Sequence, residues 1–174
     1  MKLTWFGGTT MRIHIGGAML VVDADGAPER IDHTELLSGA DRAFRLDDDL
    51  VQVEPGQFQP RRPAALIEAG DEPQEVRVYR LAAGAVLVEA AGEPPLIIAT
   101  GEMPRIGRWG RDAVVVVAGG RLEATAASVV EQVGPRLLAV AGSDGAVEAV
   151  ITALRDRLDG TGLMALEPAL ALEV

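Results

Sequence analysis

The chain has 174 residues, no cysteine, and 16 basic against 26 acidic residues, for a formal charge of −10. That length fits one domain over 1–174 with a core of its own, and the absent thiols exclude disulfides, cysteine nucleophiles and thiolate zinc sites. The negative charge opposes binding to a phosphate backbone, and no apolar run approaches the ~20 residues that span a bilayer, so the expectation is a cytoplasmic protein that binds neither nucleic acid nor membrane.

Residues 3–6, 11–15 and 18–22 read as three strands, because Gly7-Gly8 and Gly16-Gly17 between them are strong hairpin punctuation. One or two helical turns are predicted over 31–37, then strands at 42–46 and 50–54 on either side of the acidic tip Asp47-Asp48-Asp49. The proline-rich stretch 55–63 is a loop. Strands follow at 64–68, 75–81, 85–90 and 96–99, and the valine run in 113–118 is apolar on both faces, as a strand covered on both sides should be. From there the period changes to helical over 123–133 and 146–158, with 137–141 as a buried strand between them. Asp144 is placed to cap the second helix and Gly160 to stop it. The apolar segments 163–166 and 170–172 fit edge strands.

Few residues carry chemistry. His14 sits in an alternating strand and His33 follows Asp32 at a helix start, so neither has the partners a mononuclear histidine site needs. Asp23 and Asp25 share one face of an extended chain, and Asp47 to Asp49 offer oxygen ligands, although three adjacent carboxylates on a strand alternate faces and an exposed turn explains them better. No glycine pair belongs to a phosphate loop, and Ser38, Ser128 and Ser143 lack the context of a nucleophile elbow. Trp109, in IGRWGRD, fits either a core cap or an interface anchor, with the core cap favoured.

Taken in order, LTWFGGTTMRIHIGGAMLVVDAD, PLIIATGEMPR, VVVVAGG and GPRLLAVAGSDG resemble the metallo-β-lactamase superfamily, in its small metal-dependent hydrolase branch that includes lactonases of phosphorylated sugar acids. The resemblance covers nearly the whole chain and implies an α/β fold, a compact four-layer αββα sandwich of two mixed sheets. It also marks departures. Gly8 stands at the histidine of the family's WLGH turn, Glu102 at the aspartate of its TGD, and Gly142 at a later metal-binding histidine. The H-x-H-x-D-H zinc motif aligns with GADRAFRLDDDLVQVE, which puts Asp47 and Asp49 near its first two histidines with no histidine in the segment.

A dinuclear zinc hydrolase needs around three nitrogen or oxygen ligands per ion and an open position. The expectation is therefore a degenerate member of this fold without zinc hydrolase activity, a binding or assembly module with no catalytic residue and no cofactor, and with a homo-oligomer as the commonest form of contact. The alternative is a hydrolase of a lactone or phosphate ester with a reworked carboxylate site, in which Asp23, Asp47, Asp49, Glu102 and His33 hold a divalent cation such as magnesium or manganese.

Overall fold

The computed structural model describes residues 1–61 and 75–174, and the strand expected at 64–68 lies outside the described residues. Within them the elements run β1 (Lys2–Gly7), β2 (Thr10–Ile15), β3 (Ala18–Val22), α1 (His33–Leu37), β4 (Arg42–Phe44), β5 (Arg77–Ala82), β6 (Ala85–Glu89), β7 (Leu96–Ala99), β8 (Val114–Ala118), α2 (Leu122–Gln132), β9 (Leu137–Ala141), α3 (Asp144–Leu154), β10 (Gly162–Leu166) and β11 (Ala171–Glu173). Short 3-10 turns occupy Ala24–Gly26 and Arg108–Asp112. The strands build two mixed sheets, ordered β11-β1-β2-β3-β4 and β10-β9-β8-β7-β6-β5. In the first sheet only β3 and β4 run parallel, whereas β7 to β10 form a parallel block in the second.

The opening meander follows from its turns. Gly16 and Gly17 have φ of +57° and +82°, the pair of positive values that a two-residue turn matched to strand twist requires, and they bring Ile15 opposite Ala18. At the first turn a Cβ on Gly7 would lie 2.7 Å from Pro28 Cγ, so glycine is needed there for space as well as for its φ of +133°.

The period of two in the second sheet decides where the core lies. Val86, Val88, Leu96, Ile98, Val114 and Val116 face the first sheet and pack against Leu3, Met11, Ile13 and Leu20. Their neighbours Leu87, Ile97, Val115, Val117, Leu138 and Val140 face the other way, onto Ala126, Val129, Val150 and Leu154 of α2 and α3. Each such side chain removed from water stabilises the fold by about 1.5–3 kcal/mol, which is why the valine run of β8 is apolar on both faces. The crossovers β8-α2-β9 and β9-α3-β10 keep both helices over this outer face, and α2 and α3 pack on one another. On the outside of the first sheet, Arg12 of β2 reaches α1 and donates to the Glu35, Leu36 and Ser38 carbonyls, a cation placed at a helix C-terminus. The chain is thus an α/β protein with two mixed sheets packed face to face.

Several boundaries differ from the sequence reading. The second long helix begins at Asp144 with Ser143 in the capping position, so Asp144 is the first helical residue and not the cap. It ends at Leu154, and Gly160 (φ +89°) serves a later turn leading into β10. Leu158 continues the apolar period because it still packs on the core after the helix has stopped. The strand expected at 50–54 is reduced to one parallel bridge, Gln52 to Arg80, flanked by hydrogen bonds between Arg80 and the Val51 and Val53 backbone. Glu54 has already turned away, accepting from Gln57 and Phe58. Both C-terminal segments are outer-edge strands, as expected. Trp109 caps the helix-side core: it is half-buried, donates from Nε1 to the Pro55 carbonyl at 3.1 Å, and meets Phe58 edge-on at 5.7 Å.

Candidate functional site

At one end of the sandwich the carboxyl ends of β3, β4, β7, β8, β9 and β10 come together, the place where α/β sheets present loops to ligands. Two neighbouring depressions open there. One is an acidic cup of about 410 Å³ lined by Thr9, Asp23, Asp25, Arg45, Asp47 and Thr100. The other is a larger, mainly apolar cleft of about 840 Å³ walled by Trp5, Pro28, Val147, Ile151 and Leu166, with Gly8, Gly119 and Gly142 on its rim.

Asp23 organises the cup. Its φ of +46° lies in the left-handed region that aspartate enters more readily than most residues, so the extended chain ends at Val22 and Asp23 and Asp25 do not share a strand face. That is a correction to the period-two reading. The turn lets all four polar groups of Asp23 work locally. Its N–H donates to the Phe44 carbonyl at 3.0 Å, and its own carbonyl accepts from Thr10 Oγ1 at 2.8 Å. The carboxylate accepts from Leu46 N–H at 2.8 Å through Oδ1 and from Thr9 Oγ1 at 2.5 Å through Oδ2. The first hairpin turn and the segment after β4 are thereby tied to one residue.

Arg45 supplies the counter-charge. Its guanidinium makes two hydrogen bonds to Asp47, at 2.8 and 3.0 Å, and lies 3.9 Å from Asp25. Hydrogen bonding to Arg45 holds the Asp47 carboxyl below the usual aspartate range, and the same contact raises the guanidinium. The rest of the acidic tip is a turn. Asp48 accepts through Oδ2 from the Arg45 N–H, and Arg80 donates to the Leu46 and Asp48 carbonyls, each at 2.6 Å. All three aspartates are exposed, as the turn reading expects.

The five candidate ligands are therefore dispersed. Asp23 and Asp47 line the cup, whereas Asp49 lies in an adjoining groove with Asp48, Gln52 and Arg80. Glu102 is exposed on the turn beyond β7. His33 opens α1 with its Nε2 3.6 Å from Asp25 Oδ1, a contact that sequence spacing did not signal. His14 is exposed on β2 between Lys2 and Met19. Among the described residues, no three His, Cys, Asp or Glu side chains form a group able to hold a metal ion. The donors present do not fit the zinc that the family resemblance implies. Gly8 contributes only a carbonyl, which accepts from Trp5 Nε1 at 3.0 Å, and a Cβ on Gly142 would meet Leu122 Cδ2 at 2.6 Å. The carboxylates of Asp23 and Asp47 already accept hydrogen bonds from protein donors.

Sequence reasoning missed the apolar cleft. Gly119-Gly120 and Gly142 were legible as turns at strand ends, but nothing in the sequence pairs them with Trp5 and Pro28, which arrive from the other sheet. No helix among the described residues is long and apolar enough to cross a membrane. No protein-family model, curated protein or solved structure matches the chain.

Proposed function

We propose that this chain is a degenerate metallo-β-lactamase-like protein, a four-layer αββα sandwich that has given up the zinc hydrolase and acts as a binding or assembly module. The observation that carries the reading is the state of Asp23: both carboxylate oxygens already accept hydrogen bonds, from Leu46 N–H and Thr9 Oγ1, while Arg45 engages Asp25 and Asp47. Carboxylates used in this way hold loops together. The strand-end histidines that would polarise a water are replaced by Gly8 and Gly142, which leaves a cleft whose walls are mainly apolar side chains, suited to contact by shape.

A thermal-shift panel with magnesium, manganese, calcium and zinc tests this. The expected result is a melting temperature unmoved by any of the four. A cation that bound the native state at a hundred times its Kd would add about 2.7 kcal/mol, a rise of roughly 5–10 °C in a chain of this size. Such a rise, lost in Asp23→Asn, would overturn the reading in favour of a cation-dependent hydrolase built on the cup.

A further inference from the structure

We propose that a second copy of this chain docks on the outer edge of β10 by antiparallel strand pairing, joining two six-stranded sheets across a two-fold axis at Met164. The register follows from the backbone. Gly162 donates its N–H to the Arg136 carbonyl beside β9, so alternation turns the peptide groups of Gly162, Met164 and Leu166 inward and those of Leu163 and Ala165 outward. Antiparallel pairing about Met164 sets Leu163 against Ala165 of the second copy, and Ala165 against its Leu163. Both are hydrogen-bonded pairs, and together they use every outward N–H and carbonyl of the strand in four bonds. Met164 falls opposite its own copy in the closer, non-hydrogen-bonded position.

Side chains and charge fit the same register. Leu163 meets the small Ala165, and Met164, 43 % exposed, gains an apolar partner. Of the four large hydrophobics exposed among the described residues, Met164 lies in this strand and Leu170 on the connection from it to β11. The strand GLMAL carries no charge in a chain of net −10, and it lacks the lysine or proline that commonly blocks an edge. Glu167, the first acid beyond it, falls opposite Thr161 and away from its own copy. A closed two-fold needs one surface complementary to itself, and this strand meets that condition in its hydrogen bonds, volumes and charge.

The inference deepens the assembly reading but does not depend on the cation result, because the probes below report only on β10. Light scattering over a dilution series should give a mass twice the 18.3 kDa of one chain. Ala165→Pro deletes an outward N–H without touching a bond to β9, and should return the mass to that of the single chain with an unchanged circular dichroism spectrum. The absence of cysteine makes Met164→Cys a unique thiol, and its position opposite itself allows a disulfide. Mild oxidation should convert this variant to a covalent dimer, while Val51→Cys, exposed on the far side, should stay single. A wild-type chain that is monomeric throughout, a dimer that Ala165→Pro leaves intact, or equal cross-linking by Val51→Cys would each overturn the proposal.

Discussion

Replacing Asp23 by alanine should destabilise the protein severely, although the residue is only half-buried. Two hydrogen bonds to its carboxylate disappear, those from Leu46 N–H at 2.8 Å and Thr9 Oγ1 at 2.5 Å. Hydrogen bonds to a charged group contribute about 1.5–3 kcal/mol each, with the hydroxyl placed at the low end because water can replace its acceptor. Alanine must also hold the φ of +46°, at a further cost of roughly 1–2 kcal/mol. The total is about 4–6.5 kcal/mol, a large share of the 5–15 kcal/mol that ordinarily separates folded from unfolded chains. Denaturant unfolding measures it directly, and a thermal melt should fall by roughly 8–25 °C. Asp23→Asn, which tolerates the left-handed turn and keeps one acceptor, should lose less than half as much. Asp23→Gly separates the contributions, since it relieves the backbone strain and not the lost bonds. If alanine cost under about 0.5 kcal/mol, within the range of an ordinary surface substitution, the carboxylate would not be holding the loops together and its assignment as a structural acceptor would fail.

Two further substitutions probe the rest of the molecule. Glu89, on β6, has a side chain only 3 % exposed, and it accepts from the Arg61 backbone N–H at 2.5 Å and from Arg61 Nε at 3.2 Å. Glu89→Ala should destabilise by about 1–3 kcal/mol in denaturant unfolding, because the half-buried Arg61 N–H and guanidinium lose their acceptor, whereas Glu89→Gln, which preserves an acceptor, should recover most of that. Gly142→Ala brings a Cβ to 2.6 Å from Leu122 Cδ2, the end of a side chain that can turn aside, and should cost about 1 kcal/mol, the low end for an overpacked site. A double-mutant cycle with Leu122→Val should give a coupling energy of opposite sign to that cost, and additivity within about 0.3 kcal/mol would show that the two sites do not touch.

What could be read from sequence tracks what a local pattern can encode. The valine run of β8 announced a strand buried on both faces because each face meets a different core, and both C-terminal segments were legible as edges from their brevity and apolar character. The misread helix end has a physical cause: Leu158 keeps the helical period while packing from a turn, so periodicity reports burial and not backbone. Residues 50–54 alternate like a strand yet find only Arg80 to pair with, because strand propensity does not supply a neighbour. At the cup, the alternation of Asp23 and Asp25 failed at one left-handed residue. The proximity of Arg45 to Asp47 could be seen in the sequence, but its reach to Asp25 and the Leu46–Asp23 bond depend on β3 lying parallel to β4.

That parallel pairing bears on how such an end is held together. In a metal site the ion draws loops from separate strands together, and its removal leaves their backbone groups without a tether. Here the tethers are covalently part of the chain. Asp23 ties the first hairpin turn to the segment after β4, Arg80 holds that segment from the second sheet, and Trp5 fixes the Gly8 turn through its carbonyl. A cation entering the cup would meet an Asp23 carboxylate whose two oxygens already accept from the Leu46 amide and the Thr9 hydroxyl. An ion that broke both bonds would forfeit about 3 kcal/mol, roughly a hundredfold in affinity. The same hydrogen bonds that hold the strand ends in place therefore compete with a metal for the Asp23 oxygens, so the order of this end of the scaffold and the unmoved melting temperature expected with divalent cations follow from one arrangement.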